Sequence, residues 1–287
     1  MRNSFKDKVV LITGASQGIG KDIAISFARA GARLALAARS AARLANVVDE
    51  IRGLGSEAVA IPTDVAEKES VDALVDTAMT RFGRLDVVVN NAGIARVGTI
   101  ESADFEKDLR ETQSASHFGM IRVTKAVLPI FRRQAFGTIV NMSSVMGRKA
   151  FERFGAYAIV MHGVSAFSDA LRQEVAGTGI NVLVLHPALT ATRLLAEADP
   201  SQMPAPFRHM TPLSSEYVGD AVVRAVGNGR SRLIMPRVAN LLLLGEALSP
   251  RIGDAIAKAL TIKPIAWSLG MYRGRTYHQL VPGLAKP

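Results

Sequence analysis

The chain contains no cysteine in its 287 residues. That excludes disulfides and thiolate zinc sites, and it is compatible with a reducing compartment. No metal is expected. Acidic side chains are in deficit: 25 Asp and Glu stand against 35 Lys and Arg, a net charge of +10. Such a surface favours phosphate-bearing partners, whether a phosphorylated cofactor, an anionic lipid or nucleic acid. There is no basic run, zinc spacing or helix-turn-helix pattern, which argues against nucleic acid. Met1 to Lys8 is charged and lacks the apolar core of a signal peptide. No apolar run is long enough to span a bilayer; the greasiest stretch, Leu241 to Leu244, is flanked by Gly245 and Glu246. These absences point to a cytoplasmic protein. Internal repeats and low-complexity linkers are absent too.

What is there is a 48% hydrophobic chain, enough to bury a sizeable core and better suited to one large α/β domain than to two small ones. Short apolar runs recur at residues 9–12, 34–37, 58–61, 87–89, 138–140 and 182–185, with 233–235 as a candidate seventh. Runs apolar on both faces suit a parallel sheet covered on each side. The intervening segments 18–30, 41–53, 67–82, 104–110, 116–134, 156–176 and 215–226 read as helices. Alternating strand and helix implies right-handed crossovers and a doubly wound α/β sheet of about seven parallel strands, with helices on both faces. Residues 190–214 carry Pro200, Pro204, Pro206 and Pro212 and read as a substrate loop or lid within a domain spanning 1–235. Residues 236–287 form a C-terminal extension with a helix-like segment at 250–262, followed by Trp267, Tyr272 and Tyr277. Packing of this tail on the domain or on a second subunit is preferred to contact with a membrane surface.

Directly after the first apolar run comes Thr13-Gly14-Ala15-Ser16-Gln17-Gly18-Ile19-Gly20. Glycines let a backbone turn tightly against a pyrophosphate, and the helix that follows aims free N–H groups and its positive end at the phosphates. The position between strand and helix, at the head of a repeated βα pattern, makes this a Rossmann-type dinucleotide loop. The second run ends in Arg39 rather than an acid. An acid there would take the adenosine ribose hydroxyls of NAD; an arginine can face a 2′-phosphate, so NADP(H) is preferred over NAD(H). Asp64 and Val65, after the third run, are placed beside the adenine.

With these features the chain resembles the short-chain dehydrogenase/reductase family over roughly residues 6–235. The glycine loop is matched by Asn90-Asn91-Ala92-Gly93 after the fourth run, Ile139-Val140-Asn141-Met142-Ser143-Ser144 after the fifth, and Pro187 after the sixth. The resemblance implies that Asn91, Ala92, Gly93, Pro187, Thr190 and Thr192 also line the cofactor. It implies a homodimer or homotetramer, since helices at 116–134 and 156–176 pack between subunits in many relatives.

The family's serine and the tyrosine thirteen residues later correspond to Ser144 and Tyr157. The tyrosine gives its proton to a carbonyl oxygen as hydride arrives, and the serine hydrogen-bonds that oxygen. The lysine expected four residues on is replaced by Met161, which supplies neither charge nor donor to lower the tyrosine pKa. The helix asparagine is replaced by Ser116, with Gln113 a weaker alternative in register. His117 and His162 are the nearby residues that could compensate, but His162 lies about a hundred degrees round the helix from Met161. Arg148 and Lys149, on the loop after Ser144, read as surface charge or as substrate contacts. Pro187 is followed by Ala188 where the family often has glycine. Three functions follow: an NADP(H)-dependent oxidoreductase acting on a hydrophobic ketone or secondary alcohol; a non-redox isomerase, lyase or cyclase using Ser144 and Tyr157; and a catalytically impaired dinucleotide-binding protein.

Overall fold

The computed structural model describes residues 4–192, 203–204, 207 and 210–268. Its first half is strictly alternating: β1 (Val9–Thr13), α1 (Gly18–Arg29), β2 (Arg33–Ala38), α2 (Ala41–Gly53), β3 (Ala58–Pro62), α3 (Lys68–Phe82) and β4 (Val87–Asn90). There follow α4 (Phe105–Thr112), a π-helical segment (Gln113–Phe118), α5 (Gly119–Gln134), β5 (Gly137–Met142), a 3-10 turn (Val145–Gly147), α6 (Gly155–Glu174) and β6 (Ile180–Pro187). Two short strands, β7 (Thr190–Ala191) and β8 (Leu213–Ser214), precede α7 (Ser215–Gly227) and β9 (Arg232–Met235). The chain then runs through α8 (Ala239–Leu248), α9 (Pro250–Ala259) and α10 (Lys263–Ser268).

Seven strands form one parallel sheet in the order β3-β2-β1-β4-β5-β6-β9. Alternate residues of each strand feed opposite cores. Val10 and Ile12 pack with Ile23, Phe27, Leu44 and Val222 from α1, α2 and α7. Val9 and Leu11 pack with Leu74, Val123 and Phe131 from α3 and α5. The chain reverses direction of winding between β1 and β4, so the carboxyl ends of those strands open a crevice where such sheets bind ligands.

Three expectations need correction. The helices expected at 104–110 and 116–134 are one continuous rod, because Thr112, Gln113, Phe118 and Gly119 all keep right-handed helical torsions. The π segment takes up extra residues per turn, which shifts the apolar phase and makes an unbroken helix look like two. Second, the base of the 190–214 loop is a strand pair, Thr190 opposite Leu213 and Ala191 opposite Ser214. Most of the loop's interior, including Pro200 and Pro206, lies outside the described residues. Third, the tail holds α8, whose run of four leucines, Leu241 to Leu244, has no apolar period and so hid it. The expected segment at 250–262 is α9. Tyr272, Tyr277 and the side chain of Trp267 lie outside what is described. No helix among the described residues is long and apolar enough to cross a membrane.

Candidate active site

The crevice is a cleft of about 940 Å³ that runs from the end of β2, across the glycine loop, to the turn after β5. Its first wall is the loop between β1 and α1. Gly14 turns with φ +66°, and a Cβ there would lie 2.8 Å from Asn91 Nδ2 and 2.9 Å from Ala92 Cα. The close approach is locked from both sides. Asn91 Nδ2 donates to the carbonyls of Thr13 and Gly14 (3.1 and 3.2 Å), and Thr13 Oγ1 accepts from the backbone N–H groups of Asn91 and Ala92 (3.0 and 3.1 Å). Ser16, Gln17, Gly18 and Ile19 line the cleft with Gly14. Gly20 does not. A Cβ on it would sit 2.3 Å from the Gly14 carbonyl oxygen, so its lack of a side chain lets α1 pack on the loop.

A dinucleotide fits this cradle on two observations. Gln17, at the N-cap of α1, makes no side-chain capping bond, and the first turn carries no acid, so its N–H groups are left for an anion. At the far end, Arg39 is exposed at the cleft edge, together with Arg43, which sequence reasoning missed. Arg43 lies one turn into α2, behind the cap that Ser40 makes on its N–H, and reaches Gln17 Oε1 at 3.5 Å. Neither guanidinium has a carboxylate partner among the described residues. Asp64 and Val65 also face the cleft; Asp64 accepts from the Ala66 N–H (2.9 Å) and thereby shapes its own loop. Pro187, Thr190 and Thr192 close the opposite side, with Thr192 against Gly18.

The reacting end is built by β5, the 3-10 turn and α6. Ser143 turns inward, donating to the Met161 carbonyl (3.0 Å) and meeting Ser165 Oγ (3.0 Å). Ser144, at the cap of the turn, accepts from the Met146 N–H (3.2 Å) and donates to the Pro187 carbonyl (3.4 Å). Its hydroxyl is the one beside Tyr157. Burial pushes the Tyr157 phenol up to about 12, and the hydrogen bond with Ser144 only partly offsets it. Met161 is buried, 4% exposed, among Met120, Val160 and Val164. Ser116, in the π segment, accepts from the Ile94 N–H (3.1 Å) and so braces the Asn91–Gly93 loop. Gln113 does not line the cleft.

The histidines among the described residues stand apart from the cleft. The ring of His117 packs on Gly163, stacked with Phe118, and its pKa is lowered by burial. His162 is exposed, with Nδ1 2.8 Å from the Ala158 carbonyl. Arg148 and Lys149 are not free surface charges: Arg148 pairs with Asp169 at 3.2 Å, and Lys149 is buried against Glu246 and Asp254. His186, unremarked in the sequence, lies wholly buried beneath the site. Its Nδ1 sits 2.9 Å from the Ser144 carbonyl, and its Nε2 has no hydrogen-bond partner among the described residues. The sequence offered one signal for it, a polar residue directly after the apolar run Val182 to Leu185.

Beyond Tyr157 the cleft is apolar. Val145, Met146, Phe154, Met203 and Phe207 share a cluster with Ala239 and Leu260 of the C-terminal helices. The family model of the short chain dehydrogenases matches residues 8–203. The chain is 36% identical over 201 residues to a Drosophila melanogaster protein named dehydrogenase/reductase SDR family protein 7-like, covering 69% of this chain and 61% of that one. It is 32% identical over 270 residues to the provisionally named oxidoreductase SadH of Mycobacterium tuberculosis, covering 89% of this chain and 98% of the other. Among solved structures it is similar to a short chain dehydrogenase/reductase of Burkholderia phymatum in complex with NAD, with 26% identity, a TM-score of 0.75, and coverage of 84% of this chain and 92% of that one.

Proposed function

Because this chain belongs to the short-chain dehydrogenase family of nicotinamide-dependent oxidoreductases, we propose that it is an NADP(H)-dependent reductase of apolar ketones. The observation that carries the reading is one cleft joining three features: a glycine cradle with two arginines, Arg39 and Arg43, that have no carboxylate partner among the described residues at one end, a Ser144–Tyr157 pair, and an apolar wall beyond it. The dinucleotide, when bound, supplies the hydride. The residues do the rest. Arg39 and Arg43 take the 2′-phosphate, which an exposed bidentate guanidinium recognises better than a diol. Gly14 and Gly18 admit the pyrophosphate, and the free N–H groups of α1 hold it. Ser144 orients the substrate oxygen and Tyr157 donates a proton to it. A buried Met161 leaves Tyr157 a strongly held proton, which suits donation to a carbonyl better than removal of a proton from an alcohol. Exposed Phe118 and Ile159, on the segments that pair subunits in relatives, support a homodimer or homotetramer.

Titration with NADPH and NADH, followed by nicotinamide absorbance over a panel of ketones and alcohols, tests this. Tighter NADPH binding with turnover of apolar ketones is expected. Tight binding without any turnover would overturn the reductase reading and favour a second one, which the Met161 environment itself supports: a dinucleotide-binding protein that has lost hydride transfer.

A further inference from the structure

Lys149 carries a charge in a place that normally excludes one. Its side chain is 6% exposed, yet Nζ lies 2.8 Å from Glu246 Oε2 and 2.7 Å from Asp254 Oδ1. Those carboxylates belong to α8 and α9, about a hundred residues further along the chain. Lys149 itself closes the turn that begins at Ser144: its backbone N–H donates to the Val145 carbonyl at 3.1 Å, just as Gly147 N–H donates to Ser144 (2.8 Å). The two helices are cut to receive it. A Cβ on Gly253 would fall 1.9 Å from Glu246 Oε2, and one on Gly245 would fall 2.3 Å from Ile256 Cδ1. Glycine at both crossing points lets the Glu246 side chain thread between α8 and α9 to the ammonium.

The helical pair so gripped does not itself line the cleft but backs the apolar residues that do. Ala239 and Leu260, with Val238 and Ile256 beside them, pack against Val145, Met146, Phe154 and Phe207. Burial alone would push the Lys149 ammonium down; the hydrogen bonds and charges of Asp254 and Glu246 outweigh it, and its pKa is raised. The lysine therefore stays charged, and losing both partners would strand a buried cation.

We propose that Lys149 is a positioning residue that latches the α8–α9 hairpin to the turn after Ser144, and so sets the wall by which the cleft selects bulky apolar carbonyl compounds. The selectivity part rests on the reductase reading above; the latch itself does not.

The test uses the full chain with Lys149→Met, Lys149→Arg and Asp254→Asn, the last removing a partner whose side chain is 73% exposed while Glu246 still pairs the ammonium. Kinetics with NADPH are compared for a small ketone, 2-butanone, and a bulky one, 2-tetralone. Amide hydrogen exchange is followed over residues 144–149 and 239–259. With a buried pair broken, KM for 2-tetralone rises about tenfold in Lys149→Met, while kcat and the KM for 2-butanone change less than about twofold. Lys149→Arg restores most of the loss, Asp254→Asn shows a smaller version of it, and exchange accelerates in both segments together. Equal losses for both ketones, or unchanged exchange, would overturn the latch. If the natural protein turns over neither ketone, the reductase reading falls, and coupled exchange in the two segments still decides the latch.

Discussion

At Tyr157 the decisive residue is a neighbour that carries no charge. Met161 projects a thioether from the next turn of α6, and the nearest polar influence on the phenol is the Ser144 hydroxyl. A phenol held up to about 12 keeps its proton throughout the working range of a protein, so it is a permanent donor. Sign and direction follow. Carbonyl reduction is expected to be flat in rate from about pH 6 to 9, because the acid form is saturated there, whereas alcohol oxidation climbs to at least about pH 10, because only the rare phenolate accepts a proton. Met161→Lys places a cation beside the phenolate and is expected to lower the oxidation midpoint by about two pH units. Tyr157→Phe is expected to cut turnover by about 10²-fold or more with NADPH affinity unchanged. Stopped-flow rates in both directions across pH check this; an oxidation midpoint near pH 7 in the natural protein would show that some other group supplies the missing charge.

The turn from Val145 to Gly147 is where strand, helix and active site meet, and it leaves no room for added volume. A Cβ on Gly147 would lie 2.3 Å from Ser143 Oγ and 2.6 Å from the Met161 carbonyl oxygen. Gly147→Ala must therefore lift the turn off α6, an overpacking expected to cost about 1–3 kcal/mol. The control is Gly53→Ala at the end of α2, where nothing lies within 4 Å of the added carbon. Thermal melts are expected to show Gly147→Ala lower by about 2–4 °C per kcal/mol, and Gly53→Ala unchanged or slightly higher. Equal melting temperatures would mean that the turn yields freely and does not fix Ser144. Elements of this kind also mark where sequence reading succeeds and fails. The strands were legible because a sheet buried on both faces needs runs such as Val9 to Ile12, and the cleft residues because glycines at a strand–helix junction have one physical use. The π segment was illegible because it shifts the helical phase. Helix α8 was illegible because Leu241 to Leu244 have no phase at all. Arg43 could have been found by counting one turn from the Ser40 cap; Lys149 could not, because its partners are Glu246 and Asp254, distant in sequence and brought close only by the fold.

For the molecule as a whole, stability and site share a buried imidazole. His186 is 0% exposed under the carboxyl end of the sheet, and burial pushes its pKa from 6.5 down to about 4; the hydrogen bond to the Ser144 carbonyl opposes this without reversing it, while Arg148 and Arg232 add to it. A depressed histidine is held neutral by folding. The unfolded chain takes up its proton near pH 6.5, and the folded chain does so only near 4. This group's contribution is therefore complete above about pH 6.5 and is lost as pH falls from there to about 4, amounting to about 3 kcal/mol. His186→Asn keeps an amide donor for the Ser144 carbonyl and removes the titration. Urea unfolding of both proteins at intervals between pH 7.5 and 4 isolates the term, since every other titrating group is common to the pair. The natural protein is expected to lose about 3 kcal/mol more than the variant across that window. A difference that stays constant with pH would mean that His186 takes up its proton inside the fold as it does in the unfolded chain, near pH 6.5, and below that the Ser144 carbonyl would be gripped by a cation and not by a neutral ring.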